Sequence, residues 1–279
     1  MTLAPTYELH DGTAIPAVGF GTYPLSGEEG IEAMVSALHH GYRLLDSAVN
    51  YRNEEEVGEA LHRSDLPRED VMLATKVPGR FHRRSLAVQS LRDSAQRLGV
   101  ERLDLALIHW PNPSQQLYVD AWRGLVQAQQ EGLVRSIGVS NFTAAHLHDI
   151  IDATGVTPVV NQVELHPYFP QADMLATHDQ LGIRTQAWSP LGKAATPHQE
   201  AAVTSIAESL GVTPGQVVLR WHVQRGVLPL PKSATPERQQ DNLDVFGFEL
   251  DEQQMAAITA LGRADGRLFG GDPEVHEEM

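Results

Sequence analysis

Two rhythms alternate along the 279 residues of this chain. Short apolar runs such as Val71-Met72-Leu73-Ala74-Thr75 are followed by longer stretches in which apolar residues fall three and four apart, as Trp122, Leu125 and Val126 do, with Gln129 continuing the face. The first rhythm belongs to buried strands and the second to amphipathic helices. An N-terminal hairpin is predicted from Tyr7-Glu8-Leu9, a His10-Asp11-Gly12 turn and Ala14-Ile15. The first strand of the main sheet follows at 17–20 and its helix at 29–40. Further strand–helix units are predicted over 43–64, 71–98 and 104–131. Then come a strand at 135–139 with a helix at 143–153, and a strand at 159–163 with a helix at 171–181. The seventh and eighth strands fall at 183–188 and 227–230. Between them stand two helices, 200–210 and 213–225. The second opens on Thr213-Pro214-Gly215-Gln216, which is a threonine cap, a proline at the first helical position and a glutamine able to cap back. One more amphipathic helix is predicted at 251–261, and the chain from Arg263 reads as loop.

Strand–helix units repeated eight times, with no linker or low-complexity tract, predict one (β/α)8 TIM barrel over 1–279, with an N-terminal β-hairpin and two extra helices. A doubly wound sheet would want a glycine-rich phosphate turn after its first strand, and Gly19-Phe20-Gly21-Thr22 is too short for that fingerprint.

Composition narrows the class of function. Hydrophobic residues make up 42% of the chain, but no apolar run is long enough to span a bilayer. No basic, then apolar, then small-residue segment opens the chain, so no signal peptide and a cytoplasmic location are expected. With no cysteine there is no disulfide framework and no thiolate chemistry. A net charge of −15 argues against nucleic acid and membrane surfaces as partners. An anionic ligand would need a local basic patch, and one lies near the C-terminus.

The candidate chemistry sits where strands end. In a barrel of this kind the active site forms at those ends and in the loops that follow. Here they carry Thr22, Asp46, Lys76, His109, Ser140-Asn141, Gln162, Trp188 and Lys232-Ser233. Tyr51 follows Asp46 by one short loop. A carboxylate, a phenol, an ammonium and an imidazole on one rim are able to deliver a proton to a carbonyl oxygen. Thirteen histidines are present, but His39-His40 and His146/His148 lack the glutamate-bearing metalloprotease spacing, and no metal is expected. His166 and His222 read as structural.

The segments Gly41-Tyr42-Arg43-Leu44-Leu45-Asp46-Ser47-Ala48 with Tyr51, Thr75-Lys76, and Ile108-His109-Trp110-Pro111 carry a specific resemblance. So do Ser136-Ile137-Gly138-Val139-Ser140-Asn141-Phe142, Asn161-Gln162-Val163-Glu164-Leu165-His166-Pro167, and Pro231-Lys232-Ser233 through Asn242-Leu243. In number and order they resemble the aldo-keto reductase family, most closely its bacterial 2,5-diketo-D-gluconate reductase-like branch, over nearly the whole chain.

The resemblance implies an NADP(H)-dependent oxidoreductase that reduces aldehydes or ketones, α-dicarbonyls, keto sugars and keto acids among them, to alcohols. It implies a catalytic tetrad of Asp46, Tyr51, Lys76 and His109. Tyrosine's ordinary pKa is about 10, so a neighbouring Lys76 is expected to lower it while Asp46 holds Lys76 charged. Tyr51 is then the proton donor, and His109 orients the carbonyl oxygen. None of these supplies a hydride, which the family takes from NADPH, leaving NADP+. The implied cofactor residues are Gly21, Thr22, Asp46, Ser140, Asn141, Gln162, Trp188, Ser189, Leu191, Lys232, Ser233, Arg238 and Asn242. Within that set Trp188 offers a stacking face. Lys232, Ser233 and Arg238, beside a helix start capped by Thr235 and opened by Pro236, suit a 2′-phosphate.

Tyr23, Val49, His109 and Trp110 are the expected substrate wall. The chain departs from the family around it. Pro78 stands two residues past Lys76 where many relatives carry an aromatic, Asp241 replaces a longer Glu or Gln, and 192–199 is short for a lid. Phe269 and Asp272-Pro273-Glu274 are placed to close over the pocket. A monomer acting on a small carbonyl compound is expected. Two other readings are a non-catalytic NADP(H)-binding regulatory subunit, as in potassium-channel β-subunits, and a divalent-metal hydrolase or isomerase using the same rim.

Overall fold

The computed structural model of the chain describes residues 3–279, so the first two residues of the expected 1–279 span lie outside the described residues. In chain order the elements are β1 (Thr6–Glu8), β2 (Ala14–Pro16), β3 (Phe20–Gly21), α1 (Gly27–His40), β4 (Leu44–Asp46), α2 (Glu54–Arg63), β5 (Met72–Val77) and α3 (Arg84–Arg97). They continue with β6 (Leu103–Ile108), α4 (Tyr118–Gln130), β7 (Val134–Ser140), α5 (Ala144–Thr154), β8 (Val160–Glu164), α6 (Ala172–Leu181) and β9 (Arg184–Trp188). Last come α7 (Ala201–Leu210), α8 (Pro214–Gln224), β10 (Leu228–Leu230), α9 (Pro236–Leu243) and α10 (Glu252–Thr259). Strands β3 to β10 form one parallel sheet in sequence order, the (β/α)8 barrel expected from the sequence. Of the ten α-helices among the described residues, α7 and α10 are the two additional to the eight-fold repeat.

Each strand sends alternate side chains inward and outward, as strand geometry requires. In β6, Leu105 and Leu107 join the barrel interior with Leu44, Ala74, Val160, Leu228 and Leu230. Ala106 and Ile108 face the helices in the outer core. The interior is tight enough to exclude a side chain at Gly19, where a Cβ would stand 2.6 Å from Leu230 and 2.7 Å from Leu44. Hairpin β1–β2 closes one end of the barrel. Leu9 and Ile15 enter the interior cluster, and Asp11 and Thr13 hydrogen-bond the Ser136 hydroxyl at 2.7 and 3.0 Å. Ligands therefore have only the other end, where the strands finish.

One boundary differs from expectation. The first barrel strand, predicted at 17–20, is regular only at Phe20–Gly21. Its outer neighbour across the seam is β10, and the residues turned toward it are Pro229 and, just past the strand, Pro231. Their carbonyls accept from the Gly19 and Gly21 N–H groups, both at 3.1 Å. Proline has no N–H to return, so the seam is held by one-way hydrogen bonds. Helix α8 has the predicted Thr213–Gln216 capping box. Thr235, by contrast, makes no side-chain cap on α9. Its N–H is instead turned back onto the Ser233 hydroxyl at 3.0 Å.

Candidate active site

The inward rows of successive strands end in chemistry. In β4 the inward residue Leu44 is followed two positions on by Asp46; in β5 Ala74 is followed by Lys76. Past β6, Leu107 is followed by His109, and in β8 Val160 is followed by Gln162. By the same alternation Ser140 ends the inward row of β7, and Trp188 that of β9. The parallel register sets Asp46 opposite Ala74, Lys76 opposite Leu107 and Ser140 opposite Gln162. These side chains therefore meet at one rim, around a cavity of 640 Å3.

Lys76 is fully buried. Its ammonium donates to Asp46 Oδ2 at 2.6 Å, to the Ser47 carbonyl at 2.8 Å and to the Tyr51 oxygen at 3.4 Å. All three N–H donors are used. The phenolic oxygen is thus an acceptor toward Lys76, which leaves its own O–H free for the cavity. Tyr51 ends a single 3₁₀ turn, Val49–Tyr51. That turn is fixed from behind by buried Asn53, which accepts from the Ser47 hydroxyl at 2.8 Å and donates to the Thr22 and Leu25 carbonyls at 3.2 and 2.9 Å. Tyr23 lies 5.1 Å from the Tyr51 ring, and His109 meets it edge-on at 5.7 Å.

Electrostatics at the rim differ from expectation in one respect. Burial disfavours the Lys76 charge, but Asp46 and Tyr51 outweigh it and hold Lys76 above the ordinary lysine range. Tyr51, however, is raised rather than lowered. Burial pushes the phenol up by more than the Lys76 ammonium pulls it down, and Asp46 adds to the rise. Burial is the larger effect because it penalises the phenolate directly, while Lys76 shares its charge with Asp46. Burial likewise lowers His109, and contact with a carboxylate from the C-terminal segment, Glu278, offsets part of that.

The residues expected to hold a nicotinamide lie across the cavity. Gly21, Thr22, Asp46, Ser140, Asn141, Gln162, Trp188, Ser189, Leu191 and Lys232 all line it. Their donors are largely spent inside the protein. The Ser140 hydroxyl donates to the Gln162 carbonyl at 2.8 Å, and Asn141 Nδ2 donates to the His109 carbonyl and to Ser140 Oγ, each at 3.0 Å. Gln162 Nε2 donates to Asp46 at 2.8 Å and to Gln186 at 3.1 Å. What remains toward the cavity is a set of acceptor oxygens, which fits the NH2 of a carboxamide. Trp188 is fixed by its indole N–H on Asn141 Oδ1 at 2.8 Å.

At the other end Lys232 and Arg238 are exposed, while Ser233 and Asn242 are buried. Ser233, Arg238 and Asn242 stand outside the cavity lining, and so does Val49 from the expected substrate wall. Tyr23, His109 and Trp110 are in it. His222 has both ring nitrogens on backbone carbonyls, at 2.8 and 3.1 Å, and His166 stands on Glu164 at 3.0 Å. Both are away from the cavity lining.

Sequence reasoning missed Pro24, Pro190, Lys193, Leu230 and Pro231, which also line the cavity. The prolines and Leu230 adjoin residues already singled out, so the strand ends did point at them. Lys193 lies in the 192–199 segment read as a short lid; its ammonium lies over the rings of Tyr23 and Phe269 at 5.4 and 4.8 Å. Phe269 packs on Trp188 at 5.4 Å, as its expected closing position implies. Of the acidic tail it is Glu278, rather than Asp272 or Glu274, that reaches the rim, with its carboxylate 2.9 Å from His109 Nδ1.

The chain also has clear relatives. The aldo/keto reductase family model matches residues 17–263. The chain is 56% identical to 2,5-diketo-D-gluconic acid reductase B of Corynebacterium sp. (strain SHS752001), over 99% of each chain. It is 41% identical to the methylglyoxal reductase DkgA of Escherichia coli (strain K12), over 96% of each. Among solved structures, a Gox0644 variant in complex with NADPH superposes with a TM-score of 0.94 at 42% identity, covering 99% of this chain and 100% of that one.

Proposed function

The chain belongs to the aldo/keto reductase family, and from that membership we propose that it reduces a small carbonyl compound to an alcohol with NADPH, using Tyr51 as the proton donor. It is an NADP(H)-dependent oxidoreductase by family. The observation that carries the residue-level reading is the buried Lys76 ammonium, shared between Asp46 and Tyr51 beneath an open cavity.

When bound, NADPH would supply the hydride for the carbonyl carbon. Everything else falls to the protein. The acceptor oxygens of Ser140, Asn141 and Gln162 fit the carboxamide and orient the ring. His109, whose Nε2 side opens to the cavity, holds the carbonyl oxygen near the Tyr51 hydroxyl. Tyr51 then gives its proton to that oxygen, and the phenolate left behind is stabilised by Lys76 until solvent returns a proton. A phenol raised by burial stays protonated at neutral pH, which a donor requires. Lys232 and Arg238 supply the cations for a 2′-phosphate.

The names of the relatives favour an α-dicarbonyl or a keto acid as substrate. Trp110, Tyr23 and Pro24 make an apolar flank that suits a small compound. We further read the chain as one cytoplasmic, monomeric barrel domain. The test is a panel of aldehydes, α-dicarbonyls and keto acids followed by NADPH absorbance. Turnover of at least one activated carbonyl is expected, and a folded protein that turns over none of them sinks the reading.

A further inference from the structure

Resting on that reading, we infer that Glu278 is a positioning residue for His109: its carboxylate holds the imidazole from behind and supplies the countercharge when the ring carries a second proton. His109 presents two different nitrogens to two different places. Nδ1 is buried against the C-terminal segment, 2.9 Å from Glu278 Oε1. Nδ1 has no hydrogen-bond partner of good geometry, so the contact with Glu278 is chiefly electrostatic. Nε2 is the nitrogen left facing the cavity. A carboxylate on one side of an imidazole and a reacting oxygen on the other is the arrangement that stabilises imidazolium as charge develops.

The carboxylate is held there by a built dock, assembled from three separate strand-end loops. Asn50, after β4, donates to Glu278 Oε1 at 2.7 Å and is itself bonded by Arg80. Gly79, after β5, donates its N–H to the Glu278 carbonyl at 3.2 Å. Asn112, after β6, donates to the same carbonyl at 2.5 Å, across 166 residues of chain. A Cβ on Gly79 would fall far inside contact distance of both Asn112 and that carbonyl, so only glycine lets the segment sit. His276 stacks on Trp110 at 4.2 Å and extends the same dock.

The charges facing His109 come from every side. Lys76 opposes its protonation from β5. Asp46 favours it from β4, and Glu278 favours it from the tail. Tyr51 packs on its edge. Behind Glu278 lie Glu277 and buried His82, which burial holds at about 4 and therefore neutral. Glu278 itself is lowered: burial works against its charge, but His109, Asn50 and Lys76 outweigh it. Glu278 is thus an anion in the resting protein and the nearest countercharge that His109 has.

In reduction, a bound NADPH would supply hydride to the carbonyl carbon and Tyr51 the proton to the oxygen, while His109 lends Nε2–H to that oxygen as a hydrogen bond without releasing it, and the partial positive charge this draws onto the ring is offset by Glu278. The direct test is NMR titration of the His109 ring in the free protein. In Glu278→Gln its pKa is expected to fall by about one unit relative to wild type, and Glu278→Asp is expected to restore part of that. With a carbonyl substrate at pH 7, Glu278→Gln is expected to lose roughly tenfold in kcat, below the full weight of an acid–base group, with NADPH affinity unchanged. Gly79→Ala, which unseats the segment, should reproduce that loss. An unchanged His109 titration in Glu278→Gln overturns the inference, as does wild-type kcat. A wild-type protein that reduces no carbonyl sinks the proposed function instead, and leaves the titration result to stand by itself.

Discussion

The rim around Lys76 and the cationic strip at the start of α9 are built on opposite plans. At the rim the ammonium is fully buried, and its three donors are spent on Asp46, Ser47 and Tyr51. At the strip Lys232 and Arg238 are exposed, and among the described residues neither has a salt bridge. The difference fits the two tasks proposed for them. Proton and hydride transfer reward atoms fixed to within a fraction of an ångström before substrate arrives. Phosphate capture needs only charge and reach, because long cationic side chains fold onto an anion when it comes. One region is organised by burial; the other, on the proposed reading, awaits its ligand.

The largest effect expected from breaking this contrast is at Tyr51. Tyr51→Phe keeps the ring and deletes the acidic hydroxyl, so carbonyl reduction should fall by about 10²–10⁴-fold while NADPH binding stays put. Steady-state kinetics alongside cofactor titration read both, and a Phe variant within tenfold of wild type removes Tyr51 as the donor. Next is the ion pair. Lys76→Met leaves the Asp46 carboxylate buried and unpaired, at a cost of about 3–5 kcal/mol in urea unfolding. Arg238→Ala on the exposed strip should stay within about 0.5 kcal/mol. Equal losses from the two would erase the distinction.

A third expectation uses pH. His178 and His222 are buried and held at about 4 against an ordinary 6.5. Between those values the unfolded chain binds protons that the folded one refuses. Their contribution is therefore complete above pH 6.5 and is lost as pH falls toward 4, at up to about 3 kcal/mol for each. Unfolding free energies at pH 7 and pH 4.5 measure this, and His222→Gln should flatten the slope. The smallest effect belongs to the strip itself. Arg238→Ala or Lys232→Ala should raise KM for NADPH several-fold, about 1 kcal/mol, and leave NADH nearly unchanged. Added salt should mimic that loss, since exposed charges are screened.

Much of the rim was legible without coordinates because strand alternation is local. Once Leu44, Ala74 and Leu107 are inward, Asp46, Lys76 and His109 must be inward too, and the family resemblance added their roles. The capping box on α8 was equally local. Other features were less so. The strand at 17–20 was overextended because the two prolines it faces are more than two hundred positions away, and nothing near Gly19 announces them. Thr235 has the right neighbours for a cap, but its hydroxyl makes no bond to the start of α9. The fall expected for the Tyr51 pKa left out burial of the phenol, which only the closed barrel imposes and which outweighs the pull of Lys76.

By itself the sequence determined the number and order of strand–helix units and which residues share the inner face of each strand, since both follow from side-chain periodicity along a few adjacent residues. Tertiary structure decided which loops meet: Lys193 over Tyr23, Asn53 on the Thr22 carbonyl, and Glu278 against His109. Those pairs are joined only when the barrel closes and the C-terminal segment returns across its mouth, and no periodicity in the chain connects residues that distant.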